Sequence, residues 1–558
     1  MTTQGHAQSA AVALLLLSGV SSMPAAEQAA ASQAARANPA MDRDLVEVTI
    51  PRLEAMYAAR KYTVAQVTEW YLDRIARYDS VYKAILHVDA TGARAAAATE
   101  DAAAASGHNE RTRGSLWGVP IVTKANTSVN GLVTSVGWKG YLIPGHELIA
   151  PRDAPAVARL RAAGAIIVGQ TNMPDFAASD TNLSTALGRT GNAYNWHFSP
   201  GGSSGGTVTA VAANFAVFGT GTDTGNSIRM PSATSAVVGV LPTRGLVSIA
   251  GIHPLDWLLD NTGPISRTVT DAAIALGVMA GEDPMDRRTL GSASQAQSGP
   301  YTKYLKTDAL KGKRFGVPTF IVKDAVGMVP GTNPAGGLPL TPETREAFMK
   351  ALEGLRLAGA TVVFDDSILP DAFPALIRAV NTRPYRREGT DSFLRDFGPA
   401  EYHSAADYEK ATGSPLPAII IGSNPGQALP ATQRTLESDT DADANFRVPQ
   451  RKALAAYEET LGRFHLDGFV YPALQMPSND ETIPQPDGRP SSGPHSNTAW
   501  VNKIGVPAVV VPGGVHANGL PFGLELAARP WKDGDLLGWA FAYEQSTRHR
   551  RPPVLEEK

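Results

Sequence analysis

The chain has 558 residues, 43% of them hydrophobic and 18% charged, so it can bury one large core or a few smaller ones. A formal charge of −3, with no basic block anywhere, argues against nucleic acid as the main partner. The absence of cysteine excludes disulfides, thiol nucleophiles and cysteine metal sites together.

At the N-terminus, residues 10–20 form an apolar run followed by the small residues Ser21, Ser22, Ala25 and Ala26. This is the length of a signal peptide and too short for a membrane span, although the leading segment carries His6 and no Lys or Arg. The expectation is a signal peptide over 1–26, a flexible leader over 27–41, and a periplasmic or secreted protein. The rival reading is an alanine-rich leader on a cytoplasmic protein. No membrane span is expected.

From Thr63, a predicted N-cap, Val64, Val67, Tyr71, Leu72 and Ile75 recur at helical spacing. Residues 95–105 are a second predicted helix. Residues 119–123 read as a strand buried on both faces, ending in Lys124. A lone lysine after a strand is ordinarily a solvated surface group. At the mouth of an apolar strand it can instead be desolvated, which lowers its pKa and makes the neutral amine available as a base.

A helix over 153–164 and a strand over 165–169 continue the alternation and point to an α/β architecture. Then the charge disappears. Residues 181–255 hold only Arg189, Asp223, Arg229 and Arg244, where the chain average of 18% would give about thirteen charges. A stretch so poor in charge and rich in Gly, Ser, Thr and Asn is expected to be buried. Beyond it, residues 281–337 read as a loop-rich insertion in which a strand begins near 310–317. Thr341 caps a predicted helix, with a strand over 360–364. Residues 371–460 read as a helical lid or pocket wall. Strands return at 466–472 and 507–512, and Glu544 lies in a final helix.

Two glycine-rich serine loops stand in the charge-poor stretch, Gly201-Gly202-Ser203-Ser204-Gly205-Gly206 and Gly221-Thr222-Asp223-Thr224-Gly225-Asn226-Ser227-Ile228-Arg229-Met230-Pro231. A linker would not continue into Val208, Val211 and Phe215. A phosphate loop needs a closing Lys-Ser/Thr pair, a dinucleotide turn an acid about 20 residues on, and a hydrolase elbow Gly-x-Ser-x-Gly; none is present. Serine becomes a nucleophile when a base takes its proton, and glycine lets backbone N–H groups close on an oxyanion.

With Gly239-Val240-Leu241-Pro242-Thr243-Arg244-Gly245, Gly118-Val119-Pro120 and Lys124-Ala125-Asn126, these loops resemble the amidase signature family of serine hydrolases over roughly residues 60–545. The resemblance implies an amidase signature fold, a single large α/β domain (42–550) with a central mixed, twisted sheet covered by helices on both faces. It implies a Ser–cisSer–Lys triad in which Ser227 is the nucleophile, Ser203 the bridging serine on a cis peptide and Lys124 the base. It further implies an oxyanion hole of the backbone amides of Thr224, Gly225, Asn226 and Ser227. Ser204 and Thr222 are expected as supporting hydrogen bonders, and Asp223 with Arg229 as a buried ion pair bracing the loop.

Asn226 replaces a family glycine, Ala125 an aspartate and Leu241 a lysine. No cofactor or metal is implied, and the histidines, His197, His253 and His495 among them, are expected to be structural. The implied activity is hydrolysis of a carbon–nitrogen amide bond through a serine acyl-enzyme. The alternatives are an ammonia-donating amidotransferase subunit, an inactive binding protein, and carbamate or ester hydrolysis. The expected partner is a small-molecule amide with an apolar or aromatic group; Trp138, Tyr141, Tyr194, Trp196, Trp257 and Trp500 serve either its pocket or the core. A homodimer is compatible with the sequence.

Overall fold

The computed structural model describes residues 39–106, 114–322, 340–422, 434–484 and 494–557. The signal-peptide reading of 1–26 and most of the 27–41 leader lie outside the described residues. Chain contacts divide the protein into two units, 1–46 and 47–558. In the first, Pro39–Leu45 is helical. The rest concerns the second.

Eleven strands form one mixed sheet. In spatial order it begins with β1 (Ile85–Val88), β3 (Ile166–Thr171), β2 (Pro120–Lys124) and β6 (Phe218–Asp223). It continues through β8 (Asn261–Ser266), β7 (Val238–Leu241), β12 (Ala508–Val515) and β13 (Pro521–Ala528). β11 (Gly468–Pro472), β9 (Arg314–Gly316) and β10 (Thr361–Val363) complete it. β2 runs parallel to β3 and β6, and β9 parallel to β10 and β11, while the middle pairs are antiparallel. A separate ribbon pairs β4 (Leu183–Ser184) with β5 (Gly188–Arg189).

Successive strand residues point to opposite faces, yet every residue of β2, β3, β6, β7, β8, β11 and β13 is buried. Both faces are therefore covered. Helices Pro342–Leu357 and Asp533–Thr547 pack on β12 and β13, and Gly205–Ala212 packs on β2 and β6. The charge-poor stretch accordingly lies in the core: β6, β7 and the helices on either side of β6 are buried throughout.

Local signals place several elements. Thr63 caps Val64–Tyr82 in a reciprocal capping box with Gln66, and Thr341 caps Pro342–Leu357. The helix expected over 153–164 is shorter, Pro155–Ala162, since Pro155 occupies its first turn. The second expected helix starts earlier, Ala90–Ala105, because Asp89 caps it. Residues 371–460 contain helices Phe373–Ala379, Arg386–Phe397, Ala405–Thr412 and Val448–Arg463. Part of this segment is core, with Phe373, Ile377 and Tyr457 in one buried cluster with Phe469 of β11. Among the described residues no helix is long and apolar enough to cross a membrane.

Candidate active site

Three neighbouring pieces of backbone build the site: the end of β2, the serine loop before helix Gly205–Ala212, and the turn after β6. Parallel pairing of β2 with β6 sets their ends side by side. Lys124 closes β2 and is fully buried. Its Nζ donates to Ser203 Oγ (2.7 Å), Thr222 Oγ1 (2.9 Å) and Ser204 Oγ (3.1 Å). Burial pushes its pKa from 10.5 down to about 7, against the opposing pull of Asp223 and Asp260.

The Gly202–Ser203 peptide is cis. Gly201 has φ +72°, a backbone conformation that favours glycine, and a Cβ there would lie 2.9 Å from Met230 Sδ. Ser204 ties the loop to β6, donating to Thr222 O (3.2 Å), while its backbone N–H donates to Ser227 O (3.1 Å). Ser227 is 5% exposed and borders a cavity of about 490 Å³. Among the described residues its Oγ has no hydrogen-bond partner and no bond joins it to Ser203. The backbone N–H groups of Thr224, Gly225, Asn226 and Ser227 likewise have no acceptor there, and all four residues line the same cavity. The chain thus gathers a buried amine, two serine hydroxyls and four unengaged amides.

The loop is held from behind. Arg229 is fully buried, with Nε and Nη2 on Asp223 (both 3.1 Å), Nη1 on Glu525 (2.7 Å) and Nη2 on Gly225 O (2.6 Å). Tyr471 O–H donates to Glu525 Oε1 (2.5 Å), and burial raises the Glu525 pKa. The pair expected for Asp223 and Arg229 is therefore a larger cluster. Sequence reasoning misses Glu525 and Tyr471 because nothing in the chain links positions 296 residues apart. It also misses Asp260, the first acid but one after the charge-poor stretch. Asp260 accepts from Thr224 Oγ1 (2.5 Å), and burial lifts its pKa to about 7.

The departures have physical readings. Neither Gly225 nor Asn226 has a positive φ, so glycine is not required at 226. The Asn226 side chain donates to Asp180 Oδ1 (2.9 Å), another residue on the cavity wall. Ala125 packs in an apolar cluster, and Leu241 is buried where a lysine would carry a charge into the core.

The aromatic candidates separate. Trp138 and Tyr141 belong to the core with Phe176 and Tyr408. Tyr194 and Trp196 bond to Arg551 O and Glu556 near the C-terminus. Trp257 lines a different cavity, about 690 Å³, sharing no wall residue with that of Ser227. Trp500 lines a cavity adjoining it. His253 is core, its Nε2 2.9 Å from Tyr141 Oη, and burial lowers its pKa to about 3. His495 borders the cleft. Among the described residues no group of His, Asp or Glu could hold a metal ion.

A family model described as Amidase matches residues 66–537. The chain belongs to the amidase family. It is an enzyme family acting on carbon–nitrogen bonds, and its members share this mixed sheet flanked by helices. The peptide amidase of Stenotrophomonas maltophilia is 29% identical with a TM-score of 0.73, over 91% of this chain and 99% of that one. An amidase family protein of Bacillus anthracis is 25% identical with a TM-score of 0.70, over 92% and 94%. A glutamyl-tRNA(Gln) amidotransferase subunit from Thermosynechococcus vestitus is 32% identical over 518 residues, 91% of this chain and 99% of its own length.

Proposed function

We propose that this amidase hydrolyses the carbon–nitrogen bond of a small amide through a serine acyl-enzyme. Ser227 Oγ attacks the carbonyl carbon, its proton passes to Ser203, and the Ser203 proton passes to the neutral Nζ of Lys124. The amides of Thr224, Gly225, Asn226 and Ser227 receive the oxyanion, each such donor being worth about 100–1,000-fold in rate. When the C–N bond breaks, the same relay returns the proton to the departing amine or ammonia. Water then takes the place of Ser227 by the same route and releases the acid.

One observation carries this reading: a buried Lys124 brought to a pKa of about 7 sits 2.7 Å from Ser203, beside the wall that carries Ser227. A lysine serves as a base near neutral pH when desolvation lowers its pKa in this way. The Ser227 hydroxyl borders the cavity, where it can meet a carbonyl carbon. The test is labelling with a fluorophosphonate. The wild type is expected to label and Ser227→Ala not to; a silent wild type refutes the hydrolase reading, and a labelled variant refutes the nucleophile.

A second reading has its own support. The glutamyl-tRNA(Gln) amidotransferase relatives match over nearly the whole chain, which favours an ammonia-donating subunit. The isolated chain decides between them: turnover of anilides, primary amides, peptide amides or carbamates without added proteins supports the free-standing amidase, and hydrolysis of glutamine alone supports the subunit.

A further inference from the structure

The space in front of Ser227 has two chambers. Asp180, Asn226, His495, Ala499 and Lys503 are walls both of the cavity of about 490 Å³ that holds Ser227 and of a second one of about 220 Å³. The second has an apolar side made by Phe320, Ile321, Pro374, Ile377 and Trp500. Packing fixes its aromatic members: the Phe320 and Trp500 rings meet edge to face at 6.0 Å, and Trp500 is held from behind by Tyr471 at 5.2 Å and Tyr457 at 5.8 Å. Phe320 is only half-buried, so part of its ring faces outward.

Two charged groups on the shared wall are already engaged. The Lys503 ammonium donates to Ile377 O (3.2 Å) and Val380 O (3.3 Å), and the Asp180 carboxylate accepts from Asn226. A third charged residue of the small chamber, Arg378, is exposed at its edge, so it is the apolar side of the chamber that suits a neutral group.

We propose that the smaller chamber is a specificity subsite that receives an aromatic ring of the substrate, with Phe320, Ile377 and Trp500 as its selecting residues. The assignment rests on Ser227 as nucleophile. A ring seated there leaves water for apolar walls and meets preformed aromatic edges, both favourable, while the reacting amide remains in the larger chamber. Short aliphatic amides fill only the larger chamber and gain nothing from the smaller.

The test compares labelling of the full-length protein by two fluorophosphonates, one carrying an ethyl group and one a phenylpropyl group. The phenyl probe is expected to label about tenfold faster or more, as for a pocket that recognises one extra apolar group. Ile377→Trp fills the chamber and is expected to abolish that preference while ethyl labelling stays within about twofold, the scale of an untouched reaction centre. Phe320→Ala removes one wall and is expected to reduce the preference, again sparing the ethyl probe. Where Ile377→Trp also loses ethyl labelling, Phe320→Ala alone decides. Equal rates for both probes in the wild type, or a preference unchanged in Phe320→Ala, overturn the subsite and leave Ser227 standing. Absence of labelling by either probe overturns Ser227 itself and the subsite with it.

Discussion

Burial of Lys124 has two consequences, a neutral amine near pH 7 and a weaker fold. Its ammonium is fully buried, and its hydrogen bonds go to three hydroxyls and the Thr222 carbonyl rather than to a carboxylate, so the neutral form gains. As a base it works only when deprotonated, and kcat/KM is expected to rise with pH through about 7. A profile flat from pH 6 to 8 refutes the assignment. Stability follows from the same shift. The folded protein releases this proton near 7 and the unfolded chain near 10.5, so between those values the unfolded state binds more protons and stability rises with pH. Lys124→Met has no such titration. Its Tm relative to the wild type is therefore expected to be higher at pH 7 than at pH 10, and an equal difference at both pH values refutes the linkage.

The glycine-rich loop is an element shaped by closeness. Gly206 lies in the first turn of the buried helix Gly205–Ala212, and a Cβ there would lie 2.2 Å from Asn172 O and 2.6 Å from Ala84 O, both backbone atoms. Backbone cannot swing aside as a side chain can, so Gly206→Ala is expected to push the helix off the strand ends and carry Ser203 away from Lys124. The expected outcome is a Tm lower by several degrees with loss of fluorophosphonate labelling. Gly462→Ala, with open space around the added carbon in a helix that favours alanine, is the control and should lower neither. The sequence made this loop legible because glycines and serines at fixed spacing have few other uses. It made β2 and β3 legible as apolar runs. It hid β6 and β8, whose Gly, Asp, Asn and Pro are poor strand formers and become strands because the core surrounds them. Asp180 was hidden as well, because only the folded loop shows that Asn226 has a partner.

Arg229 joins regions that the chain keeps far apart. From the turn after β6 its buried side chain reaches Asp223, Gly225 O, Thr498 O and Glu525 of β13. Two carboxylates around one guanidinium, with Glu525 Oε2 lacking any partner, are a costly arrangement. It holds only as a set. Removing the cation leaves both acids buried and unpaired, a loss of about 3–5 kcal/mol in comparable cases, so Arg229→Met is expected to lower the urea midpoint strongly and to free Gly225 in the loop before Ser227. Adding Glu525→Leu to that variant removes one stranded charge. The double variant is therefore expected to be more stable than Arg229→Met alone, although it has lost more hydrogen bonds, because the two sites share one interaction and their effects do not add. Activity should stay low in both, since neither restores the contact to Gly225. A double variant less stable than the single one would mean that the cluster is held by packing around these groups and not by their charges.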